Sequence, residues 1–384
     1  MIVRRRVLWF VLATTAVGAA AGLLVARGAG TEEPAWEAAL AQRIAEHPGD
    51  AGVCVVHVES QTRFAHRADE PMPTASLIKF PVMIAAYRAA SVGKVKLSDL
   101  VVLRDEDKVP GSGILTQHFS ADATFPLRDA VRMMIAWSDN TATNLVVDKI
   151  GLPATTALMQ ELGCPNTHLH AKVYRRDTSI EPERSKQFGL GSTTAAEMVK
   201  LLERVQRREL VSPSASDDML AHLAACQDRD TFPKHLPGGM IVAHKTGLVT
   251  GVRTDAGIIT SKGGTIILCV LTNNNRRPAG ATEDPGQALC ADVAKIVFQH
   301  YNRPEAVDAA PAKINERRLA IGDSGEDVRR LQRALNRAWR PSPELDVDGE
   351  FGPATQAALL RWQRERKLPA DGVFSPEWWQ TLEP

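Results

Sequence analysis

Gly52-Val53-Cys54-Val55-Val56-His57-Val58 is a short β-branched run that reads as a strand, with a hairpin-like turn after it. Strand signals then disappear for most of the chain and return at Met240 to Lys245, Thr254 to Thr260 and Thr265 to Thr272. Between them, apolar residues recur at helical spacing over Thr74 to Ala90, Leu127 to Ser138, Thr141 to Ile150, Ala154 to Leu162 and Thr194 to Arg207. A helical lead-in, Trp36 to His47, precedes the first strand, and a last helix, Gly286 to His300, follows the others. Strands at both ends with helices between them predict an α+β domain whose termini meet in one sheet.

Composition narrows what such a domain does. The 384 residues carry 46 Lys and Arg against 45 Asp and Glu, a formal charge of +1, so no global field draws the chain onto nucleic acid. With 44% hydrophobic and 24% charged residues it is an ordinary globular protein. The five cysteines, Cys54, Cys164, Cys226, Cys269 and Cys290, form no CxxC or Cys/His cluster, and they read as small buried hydrophobes rather than zinc ligands or a disulfide framework. No HExxH, P-loop or strand-to-helix GxGxxG is present, so no metal or other cofactor is expected.

The amino terminus reads as export hardware. Arg4, Arg5 and Arg6 precede an uncharged run from Val7 to Ala26, close to the roughly 20 residues a bilayer span requires and longer than a usual signal core. Residues 1–30 are therefore expected to be an uncleaved anchor or a late-cleaved signal, with the paired arginines open to a twin-arginine route. The positive charges before the run place the rest outside the cytoplasm, in the periplasm or cell wall.

Residues 302–318 are Pro/Ala-rich and charged and read as a linker. Beyond it, in 319–384, Asp348-Gly349-Glu350-Phe351-Gly352-Pro353 is echoed by Asp371-Gly372-Val373-Phe374-Ser375-Pro376. Each copy supplies a tight turn, an aromatic anchor and a Pro-started helix, which predicts a small three-helix unit with helices at Asp327 to Ala338, Ala354 to Arg366 and Glu377 to Leu382. The unit resembles the peptidoglycan-binding module appended to many wall enzymes, a resemblance carried also by its opening, Gly322-Asp323-Ser324-Gly325. A stabilising appendage without a ligand is the alternative.

Chemistry enters at Ser76-Leu77-Ile78-Lys79, where the spacing sets an amine one helical turn from a hydroxyl. A serine needs a neighbouring base to become a nucleophile. Two companions follow in order: Ser138-Asp139-Asn140, offering a proton-relaying hydroxyl and an amide, and His244-Lys245-Thr246-Gly247, offering a cation and hydroxyl for a carboxylate and a glycine for close approach.

This triple signature resembles that of the class A β-lactamases and penicillin-binding proteins over 31–301, and Val109-Pro110-Gly111-Ser112-Gly113-Ile114-Leu115 is similar to class A wording. The resemblance implies a β-lactamase/transpeptidase-like fold, an antiparallel sheet flanked by helices with an all-helical lobe. It implies Ser76 as the acylated nucleophile, Lys79 and Ser138 as proton carriers, Asn140 as a substrate-amide ligand, and Lys245 with Thr246 and Gly247 as the carboxylate anchor. Leu248 would share the oxyanion hole with the Ser76 amide, and Arg253 would assist the carboxylate. Glu181 of Glu181-Pro182-Glu183-Arg184-Ser185 would activate the deacylating water, or be a solvated loop carboxylate; Ser185, in place of an asparagine, implies slower deacylation. The expected function is β-lactam hydrolysis by a monomer held on peptidoglycan. The alternatives are a D,D-carboxypeptidase acting on D-Ala-D-Ala ends, or a penicillin-binding protein that acylates without turnover.

Overall fold

The computed structural model describes residues 35–277, 282–303, 318–338 and 343–382. The expected export segment and most of the expected linker lie outside them. The N-terminal part of the first domain is helix α1, Ala35–Ala45, followed by strands β1, Asp50–His57, and β2, Thr62–His66. Near the other end come β3, Val242–Val249, β4, Val252–Ser261, and β5, Gly264–Asn273. They form one antiparallel sheet in the order β2-β1-β5-β4-β3. β1 pairs with β5 from Asp50 opposite Asn273 to His57 opposite Ile266, so the two ends of the domain close the sheet.

Alternation along β1 explains why its sequence is apolar without a break. Val53 and Val55 face a core with Trp36, Leu40, Leu289 and Val293, whereas Cys54 and Val56 face a second core with the middle helices. A strand covered on both faces has no polar side to show. All five cysteines are buried without disulfides; Cys54, Cys164, Cys269 and Cys290 lie in these cores as small hydrophobes, and Cys226 lies against His244.

The helical lobe comprises α2, Lys79–Ser91, α3, Leu127–Ala136, α4, Asn140–Ile150, α5, Pro153–Glu161, α6, Pro182–Phe188, α7, Ala195–Gln206, and α8, Pro213–Ala224. α2 is buried almost all round, with Phe80, Val82, Met83 and Ile84 shielded, and so forms the axis of the lobe. α9, Pro285–Tyr301, covers the outer face of the sheet, its first turn capped by Asp284. α6 and α8 were not expected from periodicity. For α8 the cue was local: the Ser212 hydroxyl accepts from the Ala215 amide and Pro213 opens the helix. α3 ends at Ala136 rather than Ser138, because Ser138 adopts a left-handed φ of 50° and turns the chain into the site.

The C-terminal unit has α10, Glu326–Ala338, α11, Pro353–Glu365, and a last helical turn, Trp379–Leu382, around Leu331, Leu335, Phe351, Leu359, Trp362 and Phe374. The sequence echo is a structural one. The Gln332 side chain donates to Asp348 Oδ1 at 2.7 Å and accepts from the Gly349 amide at 2.9 Å; Gln363 does the same with Asp371 at 2.9 Å and Gly372 at 3.0 Å. Gly349 and Gly372 both have left-handed φ, 81° and 71°, which glycine adopts without strain. Among the described residues no helix is long and apolar enough to cross a membrane.

Candidate active site

Ser76 sits in a tight turn, Ala75–Ile78, that leads directly into α2. The residue before it, Ala75, has φ 45°, a strained value for a residue with a Cβ, and the turn is held from two sides. The Thr74 amide donates to the Gly191 carbonyl at 3.0 Å, and the Thr254 hydroxyl of β4 donates to the Thr74 carbonyl at 2.9 Å. Gly247 of β3 lies so close that a Cβ there would stand 2.3 Å from the Thr74 oxygen and 2.9 Å from the Leu77 nitrogen. Close approach, and not a left-handed φ, is what requires glycine at this position.

Two buried amines converge on one hydroxyl. Lys79 Nζ donates to the Ser138 carbonyl at 2.7 Å and to Asn140 Oδ1 at 2.8 Å, and stands 3.3 Å from Ser138 Oγ. Lys245 Nζ donates to Ser138 Oγ at 3.0 Å and to the Thr246 carbonyl at 2.7 Å. Both side chains are fully shielded from solvent. Burial, and then the charge of Lys245, pushes the Lys79 amine well below the ordinary lysine range against the pull of Asp139. Burial also lowers Lys245, but nearby Cys226, Asp228 and Asp255 counter it. Both amines are thus held below the ordinary lysine range, with carboxylates and Cys226 opposing the shift at Lys245 and Asp139 opposing it at Lys79. A neutral Lys79 amine has two N–H bonds, which the Ser138 carbonyl and Asn140 occupy, so its lone pair remains for a hydroxyl.

The Asn140 amide is oriented without ambiguity, since Nδ2 donates to the Pro110 carbonyl at 2.9 Å while Oδ1 serves Lys79. One of its N–H bonds is left over. Asp139, which sequence reasoning gave no role, caps α4 through the Ala142 amide and accepts the Ile114 and Leu115 amides at 2.7 and 2.8 Å. Gly113 has φ 120°, and a Cβ there would overlap the Asp139 carboxylate at 2.3 Å. The Asp139 carboxylate therefore ties residues 109–115 to the mouth of the site. Asn144 does the same for the loop before α6, exchanging hydrogen bonds with Val173 at 2.8 and 3.0 Å.

Beneath Lys245, His244 and Asp255 form a fully buried ion pair at 3.0 Å. Burial works against the imidazolium, but the Asp255 carboxylate together with Cys226 outweighs it and raises His244 to about 10. Thr246 is buried next to Lys245, and Leu248 is exposed near the end of β3.

Two expected residues are engaged elsewhere. The Glu181 carboxylate pairs with His168 Nδ1 at 2.8 Å and lies 3.3 Å from Arg184 Nε, and Lys79 has no carboxylate ion pair among the described residues. Arg253 pairs with Asp284 at 2.8 Å and donates to the Val249 and Val252 carbonyls at 2.6 and 2.8 Å, away from the Ser138 cluster's hydrogen bonds. His168 and Asp284 lie on other elements, which local spacing does not reveal, whereas Arg184 is only three residues from Glu181. Among the described residues no group of three or more His, Cys, Asp or Glu is placed to hold a metal.

The β-lactamase enzyme family model matches residues 35–301, and the peptidoglycan binding domain model matches 324–382. A β-lactamase structure from Sphaerobacter thermophilus is 31% identical, with a TM-score of 0.61 over 69% of this chain and 96% of that one. The structure of PBP-A, 24% identical, shares the fold with a TM-score of 0.60 over 70% and 96% of the two chains. Beta-lactamase L2 of Stenotrophomonas maltophilia is 32% identical over 168 residues, 42% of this chain, and the match spans about half, 52%, of that relative. With the Ser76 turn, the paired amines and the closing sheet in place and the family model matching over most of its length, the chain belongs to the β-lactamase enzyme family and carries a peptidoglycan binding domain after it.

Proposed function

We propose that residues 31–301 form a class A-type serine β-lactamase acting through a Ser76 acyl-enzyme, and that 319–384 hold it on peptidoglycan. The observation that carries this reading is the convergence of Lys79 and Lys245 on the Ser138 hydroxyl, with the Lys79 amine depressed and the Lys245 amine buried beside it. Ser76 Oγ attacks the lactam carbonyl and its proton passes to the neutral Lys79 amine. The backbone amides of Ser76 and Leu248 receive the developing oxyanion. As the C–N bond breaks, Ser138 hands a proton to the leaving nitrogen and is resupplied by Lys79. Lys245 and Thr246 anchor the substrate carboxylate, and the spare Asn140 N–H takes the side-chain amide. Deacylation is assigned to a water activated by Glu181. Family and module both fit an extracytoplasmic location, with 1–30 as the export signal or anchor.

A second reading, a D,D-peptidase or a slow-releasing penicillin binder, is favoured by the ion pairs that occupy Glu181. Steady-state hydrolysis of a chromogenic cephalosporin, measured beside D-Ala release from a muropeptide, separates them: the first reading expects cephalosporin turnover to dominate, the second the reverse. Deleting 319–384 is expected to leave that hydrolysis within about twofold while reducing co-sedimentation with wall sacculi, since linked modules fold independently. Undiminished sedimentation would contradict the docking role.

A further inference from the structure

Glu181 is the N-cap residue of α6, and its longer side chain is free to reach past the helix start. It makes no capping bond to its own helix. It turns instead to His168, whose Nδ1 lies 2.8 Å from Glu181 Oε1 while Nε2 lies 2.7 Å from the Pro165 carbonyl. Both ring nitrogens thus face acceptor oxygens, and the ring is held between the Glu181 carboxylate and the Pro165 carbonyl. Arg184 approaches from the other side, its Nε 3.3 Å from Glu181 and out of line for a hydrogen bond, so charge holds that contact. Arg184 is itself fixed through Nη2 to the Ser192 hydroxyl at 2.7 Å, with the Asn166 carbonyl at 3.5 Å.

These anchors are close to the nucleophile in the topology. His168 lies in a short strand, His168–Leu169, paired with Gly191–Thr193, and that strand pairs in turn with Met72–Pro73 ahead of Ser76. Gly191 also receives the Thr74 amide. His168 is therefore part of the small sheet that leads into the Ser76 turn, and Arg184 of α6 is tied to that sheet through Ser192.

We propose that His168 and Arg184 are positioning residues that clamp the Glu181 carboxylate off the catalytic amine, and that this clamp must open before the acyl-enzyme is hydrolysed. The inference rests on the reading of Glu181 as the base for deacylation. A carboxylate engaged by His168 and Arg184 is directed at the clamp rather than at Lys79, so the clamp lengthens the life of the Ser76 adduct without touching its formation. The chain would then be a lactamase throttled at its second step.

The test is the decay rate of a penicillin adduct on the full chain, followed by intact mass, with the acylation rate measured in parallel. Arg184→Leu is expected to speed decay about fivefold, the scale of one partly exposed ion pair, with acylation unchanged. Arg184→Lys, which keeps the charge but loses the Ser192 fork, is expected to keep most of the parent lifetime. In the Arg184→Leu, Glu181→Gln double variant the acceleration should vanish. Equal acceleration by Arg184→Lys and Arg184→Leu would assign the effect to lost loop bracing and overturn the clamp. So would an unchanged or slower decay in Arg184→Leu when Glu181→Gln alone lengthens the adduct. If Glu181→Gln alone changes nothing, the deacylation reading itself fails, and the clamp with it.

Discussion

Lys79→Ala is expected to slow acylation of Ser76 by about 10² to 10⁴, the range a positioned general base supplies. The expectation comes from proton inventory. In its neutral form the Lys79 amine spends both N–H bonds on the Ser138 carbonyl and Asn140, leaving a lone pair that, on the proposed reading, takes the proton Ser76 must lose. No other group in the cluster replaces it, since Lys245 donates to Ser138 and to the Thr246 carbonyl. The same argument fixes the pH dependence. Burial and the neighbouring Lys245 lower the Lys79 amine, so in the parent the acylation rate should rise with pH and level off below the ordinary lysine range. Stopped-flow acylation with a fluorescent penicillin reads both quantities, with a thermal melt confirming that the variant is folded. Acylation within a few-fold of the parent would remove Lys79 from the proton path.

Glu181→Gln is expected to act on the other half of the cycle. An amide cannot accept a proton from water, so penicillin should still acylate Ser76 while hydrolysis of the adduct slows by about 10² to 10⁴. After a brief incubation, intact mass should show a persistent adduct in the variant and a smaller fraction in the parent. The Gln side chain also leaves the His168 and Arg184 pairs without their anion. Any loss of loop stability from this is checked by the acylation rate, which should stay near the parent's. A parent adduct that lasts as long as the variant's would favour the peptidase or sensor reading.

The motifs that meet around Ser138 were legible in the sequence because their parts are local. Ser76 and Lys79 are fixed by one helical turn, Ser138 and Asn140 by the start of one helix, and Lys245 to Gly247 by one strand. The sheet was legible because β1 and β5 are buried on both faces and so are apolar without interruption. What escaped depends on pairing across the fold. Glu181 meets His168 only because two short strands bring that residue beside α6, and Arg253 meets Asp284 only because α9 begins beside β4. α8 escaped because its core residues Met219 and Leu223 follow a polar first half that holds Ser214, Ser216, Asp217 and Asp218. Asp139 stood inside a motif whose neighbours drew attention, yet its carboxylate organises the 109–115 loop by contacts that no spacing announces.

Peptide mapping of the penicillin-treated full chain tests the acyl-enzyme claim most directly. A covalent adduct on the peptide containing Ser76, absent from the Ser76→Ala chain, is the predicted result. An adduct on another residue, or labelling that survives in Ser76→Ala, would contradict it.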